Sequence, residues 1–482
     1  MRRRTGWSLL ASAPRLFASA ACLLTSVAQA HAPEARGVAV TRDARAIAVA
    51  LPGFGLLVRT APAEPFSYVC DALLNTLPSD VVTPMAFVSD GSLLVGTGAG
   101  LRIVEPTGCP RSDAGGELSD APVFALAVSS SSPEVAYAAT AGSQPGVWRS
   151  GDAGRHWQLR SPLVGAQLVT ALHVHPDQPD VVYVSQGIPQ GRSTLRVSSD
   201  GGASFVDHEQ DRALTLLHVQ SGTPTRLWVV GRDAQSVGNR GFAISRGEAP
   251  AGPWLSKQRV NYFGGFAVDE HGAITIGDES GGLFRSLDDG QTFTTVSADS
   301  AVSCLSGTGD VTWACNIGTT MEPALTSQVS GTSTSTHVVA FADVSRMVSC
   351  APALEVERHC ALAWFEWQRD VLMRNLTSQD AGAALDAGAS SADAGPGDAS
   401  PEAPLTAVDA AHPAADATAP TPSTARAHDG CSLAPDGTHG GARWLALVLS
   451  LVCVRRRRQR GSSAPPSPAS VRHAQVPPRS LL

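Results

Sequence analysis

One pattern, Ser-x-Asp-x-Gly-x-x-aromatic, occurs three times in this chain. It is carried by Ser150, Asp152, Gly154 and Trp157, by Ser198, Asp200, Gly202 and Phe205, and by Ser286, Asp288, Gly290 and Phe293. An apolar, strand-like run precedes each copy, and a second strand-like run follows, as in Trp157-Gln-Leu-Arg160 and Thr292-Phe-Thr-Thr295. A polar, glycine-containing segment between two such runs is a hairpin turn. Gly adopts positive φ without steric cost, and short Asp and Ser side chains bond nearby turn N–H groups. The aromatic is placed to tuck under the turn. Every choice serves a turn, so the motif reads as structural before catalytic or metal-binding.

The spacing of the copies sets the architecture. Ser150 and Ser198 are 48 residues apart, and Ser198 and Ser286 are 88 apart, two steps of 44. A decayed copy is expected midway, at Ser245 followed by Trp254. A second alignment agrees, since Phe124–Val128 and Pro133–Ala138 match Thr170–Val174 and Pro179–Val184. A period of roughly 40–45 residues with four short strands per unit is the signature of β-propeller blades. The expected fold class is therefore all-β, a propeller over residues 31–376. Strand-like segments group into eight units, the last being 347–373. Seven blades are expected, with eight as the alternative if none is shared in ring closure.

These three turns resemble the Asp box (BNR repeat) of sialidase-like β-propellers. The resemblance implies that the boxes lie away from any chemistry. A sialidase needs an arginine trio, a Tyr nucleophile with a Glu partner and an Asp acid. The first arginine of such enzymes sits in Arg-Ile-Pro, and the nearest match here, Arg102-Ile103-Val104, lacks the proline. Tyr137 and Tyr183 hold the same place in two repeats and read as packing residues. Tyr68 and Tyr262 have no recognisable partner. Other propeller glycosidases use two central carboxylates, for which Asp269, Glu270, Asp278 and Glu279 are available; solvated turn acids are the simpler reading. His173 and His175 share a strand face, yet no third ligand is apparent. No phosphate loop, nucleophile elbow or zinc-protease motif occurs, so no cofactor and no metal is expected.

The address is written at the ends. Arg2–Arg4, the apolar run 16–24 and Ala28-Gln-Ala30 form a secretory signal over residues 1–30. A single lysine, Lys257, and a net charge of −7 without a basic stripe argue against nucleic acid as a partner. Six cysteines in the repeat region imply disulfides in an exported chain. Pairing by neighbourhood gives Cys304 with Cys315, Cys350 with Cys360, and Cys70 with Cys109. Residues 377–429, mostly Ala, Asp, Pro, Ser and Thr, cannot bury a core and read as a disordered stalk.

Cys431, the apolar run 442–454 and Arg455–Arg458 follow within a 430–460 segment. Together they resemble the myxobacterial C-terminal sorting tag (MYXO-CTERM). That resemblance implies processing at Cys431 by sorting machinery and attachment at the cell surface. Unlike that family, the chain continues in a polar tail, 461–482. The apolar run reaches only about 20 Å as a helix, against roughly 30 Å of hydrocarbon, so its membrane contact is expected to be transient. The functional expectation is an exported, surface-attached binding or scaffold module for a glycan or a surface protein. The alternatives are a glycoside hydrolase and an envelope assembly factor.

Overall fold

The computed structural model describes residues 33–371 apart from 78–81, 112–115, 143, 164–167, 188–190, 234–240, 251, 318–322, 331, 333, 351–357 and 370. The segments read as signal, stalk, sorting segment with Cys431, and polar tail lie outside the described residues. Seven antiparallel sheets span residues 37–70, 85–104, 123–162, 168–209, 214–260, 263–297 and 302–340. We number them blades 1 to 7. Six have four strands and blade 2 has three, its fourth reduced to a single bridge between Val104 and Pro110. The first strand of each blade packs against the first strand of the next, and that of blade 7 returns to that of blade 1. The ring is thus a seven-bladed β-propeller.

The burial pattern explains why these strands assemble so. The second strand of blade 1, Ile47–Leu51, is buried throughout, whereas the outermost strand of blade 3, Gln158–Pro162, is largely exposed. The apolar core is divided among the seams. Val182 and Leu172 of blade 4 pack with Tyr137 and Val147 of blade 3, and Ile274 of blade 6 packs with Trp228 of blade 5. Each blade is the lid on its neighbour, so no blade can bury its apolar faces alone.

Ring closure departs from the sequence-based expectation in two respects. The described residues of 347–373 form no strand of an eighth unit. Met347 pairs in parallel with Tyr68 on the outermost strand of blade 1 (Ser67–Cys70), and residues 358–369 form a helix. Trp367 of that helix stacks on Tyr68 at 4.9 Å and meets Phe341 edge-on. The disulfides follow from this return path. Cys304–Cys315 is as expected, a cross-strand bridge inside blade 7. The pairings Cys350–Cys360 and Cys70–Cys109 are incorrect: the bridges are Cys70–Cys360 and Cys109–Cys350, with Cα atoms 5.5 and 5.7 Å apart. The chain leaving blade 7 runs along the edge of blade 1, which sets Cys350 beside Cys109 and the helix beside Cys70. Neighbourhood in sequence was the wrong guide because closing a ring joins its two ends.

Candidate functional site at the two mouths of the ring

Antiparallel connectivity sends the turns between first and second strands, and between third and fourth, to one face of the ring. All three Ser-x-Asp-x-Gly turns lie there. They are built alike: the Ser150, Ser198 and Ser286 hydroxyls accept the N–H of Gly154, Gly202 and Gly290 at 2.8–2.9 Å and donate to the turn aspartate at 2.7–2.8 Å. Asp200 accepts the N–H groups of Ala203 and Ser204 and the Ser204 hydroxyl, and Asp288 accepts the matching groups of Gln291 and Thr292. The Trp157 indole donates to the Gly154 carbonyl, and Trp157 is buried. Phe205 and Phe293 are half-buried against their seams.

Each turn serves a different seam, so the structure does not gather these residues into one site. A Cβ placed on Gly154 would meet Leu94 of blade 2, and one on Gly290 would meet Trp228 of blade 5. Polar clamps reinforce the fit. Arg149 reaches Asp180 of blade 4, Arg160 donates to the carbonyls of Asp200 and Gly201, and Asp289 takes Arg226, Arg246 and Gln220 of blade 5. Ser245, expected to open a decayed turn, instead lies inside the third strand of blade 5, Phe242–Glu248. The tandem Asp288-Asp289 and the arginine just before Ser150 and Ser286 were the sequence signals for these clamps.

The turn carboxylates also carry a pH signature. Partial burial raises Asp152, but the His156 N–H, the His156 ring and the Ser150 hydroxyl outweigh it and hold the group at about 2. The Ser204 hydroxyl leads in lowering Asp200, and the Thr292 hydroxyl in lowering Asp288. A lowered folded-state pKa gives stability that is complete above the unfolded value near 3.8 and is lost as pH falls through the folded value. The melting temperature should therefore hold down to about pH 4 and then fall, with a visibly shallower fall in the triple variant D152N/D200N/D288N. Identical acid limbs would show that the turns do not depend on charged aspartate.

The opposite mouth carries a different group. Arg36, just ahead of the first strand of blade 1, is gripped by Glu34 at 2.8 Å and by Glu279 of blade 6. The Glu279 N–H donates to the Tyr262 carbonyl at 3.0 Å, and the Tyr262 ring is exposed. Burial pushes Glu279 upward, against the pull of Arg36. The four carboxylates available for a central pair thus divide between the faces. Asp269 and Glu270 lie before the strand Ile274–Asp278, and Asp278 and Glu279 at its far end. Five residues of strand span about 16 Å. Paired glycosidase carboxylates stand about 5–9.5 Å apart, so the two groups cannot act on one bond. Asp278 is also occupied, accepting the N–H groups of Asn261, Tyr262 and Ser280.

The remaining candidates are structural. The Tyr68 hydroxyl donates to the Phe54 carbonyl at 2.6 Å, and burial raises its pKa. Arg102 bonds the carbonyls of Leu101 and Ser119. His175 accepts the Asp177 N–H and bonds Thr225, the behaviour of a turn-edge residue. A register shift between Val174 and His175 removes the shared face expected for His173 and His175. His173 instead donates from Nε2 to the Leu216 carbonyl, and the matching histidine on the first strand of blade 5, His218, faces Phe266. Burial lowers both to about 4, so both are neutral. The repeated Leu-His-Val in 172–174 and 217–219 was the signal for this second histidine. Among the described residues no cluster of three metal-ligating side chains occurs.

No family model matches the chain, and no curated protein matches it. Solved structures similar to it include a GH74 xyloglucanase from Xanthomonas campestris, with 17% identity and a TM-score of 0.46 over 62% of this chain and 52% of that one. An ancestral GH74 enzyme has 14% identity and a TM-score of 0.41, covering 52% of this chain and 36% of the enzyme. YCF48 bound to D1 peptide has 14% identity and a TM-score of 0.39, covering 55% and 84%. The chain spans about half the length of the xyloglucanase and about a third of the ancestral enzyme.

Proposed function

We propose that this chain is an exported, surface-attached binding module that takes a glycan or protein ligand at the mouth opposite the boxes and breaks no bond in it. The observation that carries this reading is the division of labour between the faces. The box face commits its turn aspartates, and its third-strand arginines other than Arg59, to turns and seams. The other mouth presents the exposed Tyr262 beside the Arg36–Glu279 pair. An aromatic face next to fixed charges suits a sugar ring or a peptide. The three turns are read as Asp boxes and the C-terminal segment as a MYXO-CTERM-like tag, and the disulfides fit an oxidising compartment. A thermal-shift screen of the full chain against glycans, peptidoglycan fragments and envelope peptides tests it, because a ligand of the folded state raises the melting temperature. No shift from any of them would remove the reading.

A second reading, a glycoside hydrolase, has one observation in its favour. Glu34 and Glu279 stand on either side of Arg36, and Glu279 is shifted upward as a general acid would be. Release of reducing sugar from a polysaccharide, abolished by Glu279→Gln, would put it first.

A further inference from the structure

We propose that the seam between blades 1 and 2, on the box face, is a binding site for a carboxylate anion with Arg59 as its cation. Four blades carry an arginine at the outgoing end of the third strand, registered against the second: Arg149 opposite Tyr137, Arg246 opposite Trp228, Arg285 opposite Thr275 and Arg59 opposite Ile47. In three of them the guanidinium finds acceptors on the next blade. Arg149 takes the Asp180 carboxylate, Arg246 the Asp289 carboxylate, and Arg285 the Thr312 hydroxyl and the Val329 carbonyl. Blade 2 supplies none to Arg59. Its turn runs Glu105-Pro-Thr-Gly108, with Gly108 backed against Val58 and Val348.

The Arg59 guanidinium lies 5.3 Å from the Phe66 ring, and its Nε is buried with no hydrogen-bond partner. Arginine does not shed its proton in proteins, and a buried donor without an acceptor is costly. The space beside it is a shallow cleft open to solvent, walled by Ala46, Val58, Thr60, Phe87, Glu105 and Pro106. The titratable groups around it are Glu105 on the rim, and Glu64 and Arg346, which pair with each other at 3.8 Å while Thr60 donates to Glu64. The anion class follows from the chain itself, which answers this arginine with a carboxylate at two other seams. One planar fork matches one carboxylate, and the acidic rim works against a dianion such as phosphate. The site is remote from Tyr262 and stands independently of the function proposed above.

Titration calorimetry of the full chain at constant ionic strength tests this, with sodium acetate, sodium glucuronate, inorganic phosphate and chloride as probes. Acetate and glucuronate should give saturable heat and phosphate no more than chloride. Tighter glucuronate would indicate that the carboxylate arrives on a sugar. Arg59→Met should weaken binding at least tenfold, and Glu105→Gln should strengthen it. If Arg59→Met does not fold, Arg59→Lys keeps the charge without the fork and should still weaken binding several-fold. No saturable heat with the wild-type chain, or unchanged affinity in the Arg59 variants, overturns the proposal. So does a loss of ligand-free stability in Glu105→Gln, which would make Glu105 the partner of Arg59.

Discussion

Replacing Cys70 and Cys360 together by alanine should destabilise the propeller by about 4 kcal/mol, against about 3 kcal/mol for the Cys304/Cys315 pair. The difference comes from loop length. With Cys109–Cys350 intact, the first bridge closes a loop of about 50 residues through 70–109 and 350–360, the second one spans 11, and a crosslink restricts the unfolded chain more as its loop grows. The longer bridge also holds the helix 358–369 in place, and with it the stacking of Trp367 on Tyr68. Urea midpoints of the two double variants decide the matter. Equal losses would mean that the returning chain contributes nothing to closing the ring.

Gly290→Ala should cost about 3 kcal/mol, whereas Gly272→Ala should cost about 1 kcal/mol. Both glycines belong to box-face turns of blade 6 and both have positive φ, +72° and +81°. That conformation alone costs an L-residue roughly 1–2 kcal/mol. The difference is what the new methyl group meets. At Gly272 nothing lies within 4 Å, whereas at Gly290 it would fall 2.2 Å from the ring of Trp228, which is completely buried. Overpacking of that kind adds roughly 1–3 kcal/mol. Matching melting temperatures for the two variants would show that the turn glycine is needed for its backbone alone and not for the seam.

The blades were legible because one solution repeats. Three turns on a common period, with alternating apolar strands between them, leave little room for another fold. What the repeat could not reveal was how the ring closes. Residues 360–364 and 370–373 were read as strands, yet Cys360, Trp364, Trp367 and Val371 form a helical stripe at i, i+4, i+7 and i+11, and three of the four are buried. The cysteine pairing failed with it, since 290 residues of chain separate partners that the ring sets side by side. The mouth group was only half visible. Glu279 was singled out for its charge, but its partner Arg36 lies 243 residues earlier and carries no local pattern. The misgrouping of Asp269 with Asp278 has the same origin, because residues close in sequence point to opposite ends of a strand.

The most direct test of the proposed function is binding of the full chain to an immobilised panel of polysaccharides and envelope proteins, compared with Tyr262→Ala, with the mass of each retained ligand measured afterwards. The account predicts saturable binding that drops at least tenfold in the variant and a ligand recovered at unchanged mass. Binding that survives Tyr262→Ala would contradict the assignment of the mouth, and a shortened ligand would contradict the assignment of a module that breaks no bond.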